Sequence, residues 1–257
     1  MRATTFTQQA KTTKEEFKMP RFFTPEKPSD IIKVTGSDAR HIGFSLRMKV
    51  GDALTFCHGG TDYSCVIESM TGDEVICRVE SSAPTLAEPN IGLTIYQAYP
   101  KQDKLELIIQ KTAELGASRI VPFLSARCVA RPDKKTYEKK QARFQKIAEE
   151  AAKQSGRGIV PEIAPLMTFA EALEDMSRCD LSLLCYENGG KRLKDADFPE
   201  HGSIGVMIGS EGGFERDEAE AAEKAGAVPI WLGERILRCE TCPIAVTAII
   251  MNLTDNM

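Results

Sequence analysis

A glycine-rich run near the carboxyl end of the chain has the residue types of a ligand-binding turn. Gly209, Gly212 and Gly213 fall within five positions, after an apolar run of strand length and before a helical segment. Glycine has no Cβ, so the chain can turn sharply there or lie directly against a ligand. Because α/β sheets bind ligands at the carboxyl ends of their strands, this turn is a candidate site. A plain strand-to-helix turn is the alternative interpretation.

The charged and apolar side chains around this run indicate what kind of ligand it would take. Glu211 lies between the glycines, so the turn suits a cationic or hydrogen-bond-donating ligand better than a phosphate. A second run, LGERILRCET at 232–241, places Arg235 and Arg238 on either side of two apolar residues. An ordinary exposed loop does not need those apolar side chains, whereas a loop that folds inward over a ligand does.

Several common catalytic and metal-binding signatures are absent from the sequence. There is no phosphate-binding loop, no G-x-G-x-x-G after the first strand of the second half, and no H-E-x-x-H pair. We therefore expect no metal. Eight cysteines are too sparse for a disulfide scaffold, no apolar run reaches membrane-spanning length, and residues 1–18 lack a secretory signal. These features predict a cytoplasmic protein with reduced thiols.

The hydrophobic pattern divides the chain into a tail, a β-rich domain, a linker and an α/β domain. Residues 1–18 are polar and predict a disordered tail, and residues 83–90 contain two prolines and predict a linker. Between them, residues 19–82 predict a compact barrel with a helical stretch at 38–47 and strands at 53–58, 62–68 and 74–80. After the linker, strands alternate with helices through residues 91–257, which predicts a mainly parallel sheet.

The alternation in the α/β domain predicts five strands and five helices. Strands are predicted at 91–99, 119–124, 181–186, 203–208 and 227–231. Helices are predicted at 103–115, 135–154, 169–176, 216–225 and 243–253.

Taken together and in order, the motifs resemble the SPOUT methyltransferases, and among them the RsmE-type 16S rRNA uridine-N3 methyltransferases. The strongest pieces are GSEGGF at 209–214 and LGERILRCET at 232–241. Weaker pieces, all in consistent order, are MPRFF at 19–23, the segment 41–52, KTAELG at 111–116, QSGR at 154–157 and Tyr186-Glu187. Two departures are Ala126, where the family usually has Glu, and the two cysteines of Cys239-x-x-Cys242.

The resemblance implies a fold, a cofactor and a partner. The C-terminal domain of the family is a deep trefoil knot, a rare exception to unknotted chains, which stacks three loops around S-adenosylmethionine. Residues 91–257 would form this α/β trefoil-knot domain, and residues 19–82 a PUA-like β-barrel that binds RNA. The protein would be a homodimer that acts on 16S rRNA of the small ribosomal subunit.

By match, the cofactor-binding positions come from three segments. They are Leu184 and Tyr186, then Gly209, Ser210, Glu211, Gly212 and Gly213, and finally Leu232, Gly233, Ile236, Leu237 and Arg238. Within this set, the apolar side chains of Leu232, Ile236 and Leu237 would lie against the adenine. Because Cys239 and Cys242 fall in this cofactor segment, we interpret them as small packing residues; a redox pair or half of a metal site is the alternative.

The implied reaction is direct methyl transfer to N3 of a uridine, which has to lose its proton. Alignment of the reacting atoms would be the main task of the protein. Arg238 is the candidate to stabilise the developing uracil anion, and Glu240 or Glu211 the candidate proton acceptor. A SPOUT ribose 2′-O-methyltransferase, or a non-catalytic RNA-binding protein of ribosome assembly, are the alternative functions.

RNA contacts are predicted from the resemblance and, for the basic helix, also from the distribution of basic side chains. Residues 101–157 carry 14 basic and 7 acidic side chains in a protein of net charge −4, which suggests a surface for a polyanion. Two solvated helix faces are the alternative. The resemblance implies that Arg21, Arg40 and Arg47 of the PUA-like barrel contact phosphates, and that the QSGR turn presents Arg157 to RNA. Lys139, Lys140 and Arg143 of the basic helix would join them.

Overall fold

Two hydrophobic cores divide the computed structural model, which describes residues 19–257, into two units. The first unit reaches Ala87 and also takes in residues 153–159; the second comprises residues 88–152 and 160–257. The tail predicted at 1–18 lies outside the described residues. Each unit is described by itself below.

The first unit is a five-stranded sheet in the order β1-β3-β4-β5-β2. Its elements are β1 (Arg21–Phe23), β2 (Ile31–Thr35), α1 (Gly36–Arg40), a π-helical turn (His41–Ser45), β3 (Ala53–His58), β4 (Thr61–Met70) and β5 (Glu74–Pro84). Alternation builds the core, because Tyr63, Cys65 and Ile67 of β4 point to one face and are buried. β1 pairs with β3 in parallel, and the other neighbours are antiparallel.

The last strand of this sheet reaches into the segment predicted as a linker. β5 continues to Pro84, and its residues 82–84 pair with Thr61–Tyr63 at the start of β4. The long partner strand supplies the hydrogen bonds for this extension, and proline is tolerated at its terminal position. The linker therefore begins after Pro84, whereas the two prolines of the sequence predicted that it begins at residue 83.

The second unit is a parallel sheet with the strand order β11-β13-β10-β12-β6-β7-β8, and β9 pairs with β7. Its strands are β6 (Ile91–Ala98), β7 (Arg119–Leu124), β8 (Glu162–Ile163), β9 (Met167–Thr168), β10 (Leu181–Cys185), β11 (Lys191–Arg192), β12 (Gly202–Ile208) and β13 (Val228–Trp231). Its helices are α2 (Lys104–Glu114), α3 (Lys134–Ser155), α4 (Phe169–Met176), a 3-10 turn (Leu193–Asp195), α5 (Arg216–Lys224) and α6 (Thr241–Leu253). The parallel α/β architecture confirms the sequence prediction.

Helical periodicity places the helices of this unit against the sheet. In α2 the spacing of Leu105, Ile108, Ile109, Thr112 and Leu115 predicts a buried stripe; the first four side chains are buried, and Leu115, just after the helix, is half-buried. α6 is the most apolar helix and has only 13 residues. Within the described part of the chain, no helix combines the length and apolarity needed to cross a bilayer.

The position of β13 decides which turns meet. β13 follows β10 and β11 in the chain but lies between them in the sheet, and β12 lies on the other side of β10. All these pairings are parallel, so the carboxyl ends of β10, β12 and β13 share one edge. The two motif runs therefore meet at this edge, although about twenty residues separate them.

Candidate functional site

The turns that follow β10, β12 and β13 line one cavity of about 790 Å³. This volume lies within the range of small-molecule and cofactor sites. Of the predicted cofactor positions, all but Leu184 line the cavity: Tyr186, Gly209, Ser210, Glu211, Gly212, Gly213, Leu232, Gly233, Ile236, Leu237 and Arg238. The structure thus brings together the two runs that sequence reasoning paired.

Leu184 is not a cavity residue. Its side chain is fully buried in the core of the sheet, where it pairs in register with Met207 of β12 and Pro229 of β13. The cavity begins one residue later, at Cys185. Leu184 lies in β10, which is paired on both sides by β12 and β13, so its side chain is used for packing.

The glycine turn, Gly209–Phe214, is held by the surrounding protein. Gln97 at the end of β6 is buried and donates a 3.2 Å hydrogen bond to the Gly209 carbonyl. The Ser210 hydroxyl donates to the Arg127 carbonyl at 3.2 Å, and an Arg127 guanidinium N–H donates to the Gly212 carbonyl at 3.0 Å. Phe214 is 2% exposed and stacks on Phe123 at a centroid distance of 6.4 Å.

Contacts within the protein explain why this turn needs glycine. A Cβ on Gly209 would lie 3.0 Å from the Cα of Gly213, and a Cβ on Gly212 would lie 2.9 Å from the Cβ of Arg127. Gly213 also has a φ of +67°, which favours glycine. Of the two reasons for glycine that the sequence left open, a sharp turn and the approach of a ligand, the contacts with Gly213 and Arg127 support the first.

Lys104 connects the glycine turn to the segment after β13. Its Nζ lies 3.1 Å from Glu211 Oε1 and 3.0 Å from Glu240 Oε2. The Lys101 backbone N–H also donates to Glu211 Oε1, at 3.1 Å. Lys104 lines the cavity and was missed by sequence reasoning, because more than a hundred residues separate it from either partner. Its position shortly after β6, at the carboxyl end of a strand, is the sequence feature from which it could have been identified.

The ion pairs set the protonation states of this cluster. Burial favours the neutral form of Glu211, but backbone hydrogen bonds and Lys104 outweigh it and hold the pKa of that carboxyl below its usual range. The pKa of Glu240 is lowered in the same way, against the effect of burial. Hydrogen bonds to the two carboxylates raise the pKa of Lys104. Both carboxylates are therefore ionised at neutral pH, and they are weak bases.

The arginine loop, Leu232–Arg238, is far less tied to the protein. Ile236 is 87% exposed, and Glu234, Arg235 and Arg238 are exposed as well. Across the described ranges, no hydrogen bond or ion pair joins residues 233–237 to the rest of the chain. Gly233 has a φ of +121°, so the loop turns where glycine is favoured. Of its apolar side chains, Leu232 packs against the core and Leu237 is half-buried, so Ile236 is the one left uncovered at the cavity.

Further cavity residues come from the turn after β10 and from β13. Glu187 follows Tyr186 and adds a carboxylate, and Trp231, the single tryptophan of the protein, ends β13. The Arg192 guanidinium lies over the Trp231 ring, 5.8 Å from its centroid. The Tyr186-Glu187 pair was part of the resemblance, but neither Glu187 nor Trp231 was predicted as a site residue.

The cysteines of the C-x-x-C motif have different neighbours. All eight cysteines of the protein are free thiols. The Cys239 thiol donates to Glu240 Oε2 at 3.2 Å, and its burial and this bond raise the pKa of Cys239 to about 12. A hydrogen bond with Cys242 and burial raise the pKa of Cys185. Cys242 packs against the hydrophobic core of the second unit, as expected of the packing residue that the sequence predicted.

The predicted RNA contacts of the first unit divide into two kinds. Arg40 and Arg47 are exposed. Arg21 is mostly buried and forms an ion pair with Asp62, with a 3.0 Å bond from Nη1. Arg157, in the turn after α3, is only 2% exposed. The side chains of Arg21 and Arg157 are therefore used inside the protein and are not presented to a phosphate.

The predicted RNA contacts of α3 lie on the surface of the second unit. Lys139, Lys140 and Arg143 are exposed, and Arg143 donates a 2.7 Å hydrogen bond to Glu106 of α2. In residues 19–257, no three His, Cys, Asp or Glu side chains group as metal ligands.

Comparison with known protein families identifies both units. Residues 87–251 match a family described as RNA methyltransferase domain, and residues 34–80 match the RNA methyltransferase PUA domain. The ribosomal RNA small subunit methyltransferase E of Bacillus subtilis is 36% identical over 230 residues, which cover 86% of this chain and 90% of that protein. The protein of the same name from Mesomycoplasma hyopneumoniae is 30% identical over 226 residues, or 88% and 96% of the two chains.

Solved structures share the architecture. The crystal structure of the ribosomal RNA small subunit methyltransferase E from Neisseria gonorrhoeae, bound to S-adenosyl methionine, superimposes with a TM-score of 0.84 at 32% identity. It covers 91% of this chain and 98% of that chain. A methyltransferase from Legionella pneumophila in complex with its bound cofactor SAM gives a TM-score of 0.81 at 27% identity, with the same coverage.

Proposed function

This chain belongs to the ribosomal RNA small subunit methyltransferase E family and is an S-adenosylmethionine-dependent rRNA methyltransferase, and we propose that it methylates N3 of one uridine of 16S rRNA. The observation that carries the proposal is the single cavity lined by the glycine turn and the arginine loop. The chain spans 90% of its Bacillus subtilis relative, so the likeness covers both units.

The residues of the cavity suit S-adenosylmethionine. The apolar side chains of Leu232, Ile236 and Leu237 would hold the adenine, and backbone groups of the glycine turn would lie close to the ligand. Carboxylates at Glu187 and Glu211 suit its positive charges. When bound, this cofactor supplies a methyl group already activated for transfer by a cationic sulfur.

Arg238 is the residue that we assign to the uracil anion. Its side chain is exposed at the cavity, and none of the described residues pairs with it. A guanidinium at that place stabilises negative charge as the N3 proton leaves, which is the electrostatic contribution a methyltransferase of this kind needs most. The rest of the work is alignment of the nucleophile with the methyl group.

The roles of Glu211 and Glu240 follow from their shared partner. Both were predicted as proton acceptors, and their lowered pKa values make them weaker bases than ordinary carboxylates. We assign them a positioning role instead: through Lys104 they fix the glycine turn relative to the start of α6. The N3 proton then leaves to water or to a group of the RNA.

We also propose that the second unit is a trefoil knot and that the protein is a homodimer. The insertion of β13 between β10 and β11, which both precede it, supports a threaded chain. An apolar edge supports the dimer: Leu107 of α2 and Ile249 and Leu253 of α6 are 38–41% exposed, and the two helices pack together. Eight free thiols favour the cytoplasm as the compartment.

The first unit is proposed to bind the rRNA substrate. The match of residues 34–80 to the PUA domain of RNA methyltransferases supports this role, as do the exposed Arg40 and Arg47. In the second unit, the exposed basic side chains Lys139, Lys140 and Arg143 add phosphate contacts. The target base would have to be unpaired or turned out of its helix to reach the cavity.

Methyl transfer in vitro tests the function. The chain is incubated with methyl-labelled S-adenosylmethionine and either 16S rRNA or small subunits that lack the modification, and the RNA is digested to nucleosides for mass spectrometry. N3-methyluridine is the expected product. A ribose 2′-O-methyl product would show that the enzyme modifies the sugar and not the base. RNA binding without any methyl transfer would support a non-catalytic assembly protein.

A further inference from the structure

An exposed aromatic side chain lies on the helical turn between β2 and β3 of the first unit. Phe44 is 70% exposed, and Val50 nearby is 61% exposed. Three exposed basic residues, Arg40, Arg47 and Lys49, lie within the same stretch of chain. We call these five residues the Phe44 surface. Among the described residues, Phe44 is the one aromatic side chain in the set of exposed large hydrophobic residues, and all three cations lie within five residues of it along the chain.

The backbone beneath the Phe44 surface is fixed. Ile42 is fully buried, and the neighbouring His41 ring meets the buried Phe22 ring edge-on at 6.1 Å. The Leu46 N–H donates to the His41 carbonyl at 2.9 Å, which closes the π-helical turn. A rigid inner side thus presents Phe44 outward, and π-helical turns of this kind are frequent at functional sites.

Backbone strain points to the same stretch. Arg47 has a φ of +56°, in the left-handed region that non-glycine residues rarely adopt. Such a conformation persists only where the surrounding structure enforces it, and it occurs often at binding sites. Here the Met48 N–H donates to the Ile42 carbonyl at 3.1 Å and holds the strained residue in place. The position of the Arg47 backbone at the surface is therefore fixed.

The charges of the Phe44 surface identify the partner. Among residues 19–257, no carboxylate pairs with the side chains of Arg40, Arg47 or Lys49, and Arg40 makes only a 3.4 Å bond to the Gly36 carbonyl. Unpaired cations beside an exposed aromatic ring are the arrangement by which proteins hold single-stranded nucleic acid. The ring stacks on a base while the cations contact the flanking phosphates.

We propose that Phe44 stacks on an unpaired base of the rRNA substrate, with Arg40, Arg47 and Lys49 on the adjacent phosphates. The proposal rests on the proposed function, because it takes RNA as the partner of the first unit. It adds a contact through which the enzyme distinguishes single-stranded from duplex RNA. Phosphate contacts alone make no such distinction.

Binding to a 16S rRNA transcript across a salt series separates stacking from charge. The transcript is labelled, and unlabelled double-stranded RNA is present in excess to suppress duplex binding. Phe44→Ala should weaken binding about 5- to 150-fold at every salt concentration, which is the range for loss of one stacked base. Arg47→Gln should instead reduce the slope of log affinity against log salt by about 0.7.

Two further variants make the stacking claim specific. Phe44→Trp should bind as tightly as the wild type or more tightly, because its ring also stacks, whereas Phe44→Leu should bind as weakly as Phe44→Ala. If Phe44→Leu keeps wild-type affinity, the residue is a general apolar contact, as for a protein partner, and the proposal fails. It also fails if Phe44→Ala binds as the wild type does.

Two controls separate this proposal from the proposed function and from folding. Because Phe44 is exposed, the thermal unfolding midpoint and the calorimetric affinity for S-adenosylmethionine should be unchanged in all four variants. If the wild type binds the transcript but transfers no methyl group, the proposed enzyme activity fails. The binding data on the Phe44 variants would still test the stacking contact. A wild type that does not bind the transcript would overturn both.

Discussion

The glycine turn and the arginine loop line the same cavity but are held in opposite ways. Gln97, Lys101, Lys104 and Arg127 all bind the glycine turn through hydrogen bonds, and its terminal Phe214 is buried in the core. In the described part of the chain, residues 233–237 of the arginine loop have no such bond. At its centre, Ile236 is 87% exposed.

This contrast suggests a division of work within the site. A turn that is complete before binding costs little to organise, so it can fix the position of the ligand. A loop with uncovered apolar side chains gains stability only when something covers them. The glycine turn is therefore the fixed wall of the cavity, and the arginine loop is the part that binding completes.

Removal of the Arg238 guanidinium should have the largest effect on catalysis. In Arg238→Ala we expect kcat to fall about 10²- to 10³-fold, as for loss of one group that stabilises charge in a transition state. Affinity for RNA should change much less. Arg235→Ala, three residues earlier in the same exposed loop, is the matched control and should keep most of the activity. Equal losses of methyl transfer and RNA binding in Arg238→Ala would contradict the assigned role.

A methyl side chain at position 209 should destabilise the glycine turn. The Cβ would lie 3.0–3.3 Å from three backbone atoms of Gly213, which cannot move without breaking the turn. We expect Gly209→Ala to lose roughly 1–3 kcal/mol of unfolding free energy, the usual cost of overpacking, and to lose cofactor binding. Gly72→Ala, which meets no atom within 4 Å, is the control. Denaturant unfolding and calorimetry measure both; wild-type behaviour would mean that the turn is not rigid.

Loss of Lys104 should separate the two carboxylates that it holds. In Lys104→Met we expect about tenfold weaker cofactor binding. A hydrogen bond to a charged group contributes about 1.5–3 kcal/mol, and the lower end of that range corresponds to about tenfold in affinity. The fluorescence of Trp231, which lines the cavity, reports the titration. Lys101→Met changes an exposed side chain three residues earlier and should bind normally. Tighter binding in Lys104→Met would show that the cluster acts through net charge and not through position.

Replacement of Ile236 tests the arginine loop with the smallest change. Because this side chain is exposed before binding, Ile236→Ser should leave the thermal midpoint of the free protein unchanged. Its affinity for S-adenosylmethionine should fall roughly 3- to 10-fold, since complete burial of an Ile side chain contributes about 1.5–3 kcal/mol and partial burial at a cavity contributes less. Val129→Ser, also exposed but outside the cavity, should affect neither quantity. A lower midpoint in free Ile236→Ser would mean that the loop is already packed.

Local patterns predicted the elements and the main loops of the site. The period of α2 and the apolar runs of the parallel strands were readable because burial on one face or on both leaves a direct mark in the sequence. The two cofactor runs could be recognised because three glycines in five positions and apolar residues in a predicted loop are unusual. The edge at which they meet came from parallel topology, since carboxyl strand ends lie together.

Contacts between distant segments were the part that the sequence did not show. Lys104 pairs with Glu211 and Glu240 only because β6 lies beside β12 in the sheet. The burial of Leu184 and Arg157 depends on neighbours from other elements, whereas the family resemblance had implied a cofactor contact for Leu184 and an RNA contact for Arg157. The reason for Gly212 was likewise hidden, because Arg127 approaches it from another strand's turn.

Hydrogen exchange with and without S-adenosylmethionine tests the central claim most directly. We expect strong new protection in residues 232–238 and little change in residues 209–214, whose bonds are already formed in the free protein. The cofactor product, S-adenosylhomocysteine, should give the same pattern. Protection that appears elsewhere in the second unit, with residues 232–238 unchanged, would contradict the account of this cavity as the methyl-donor site.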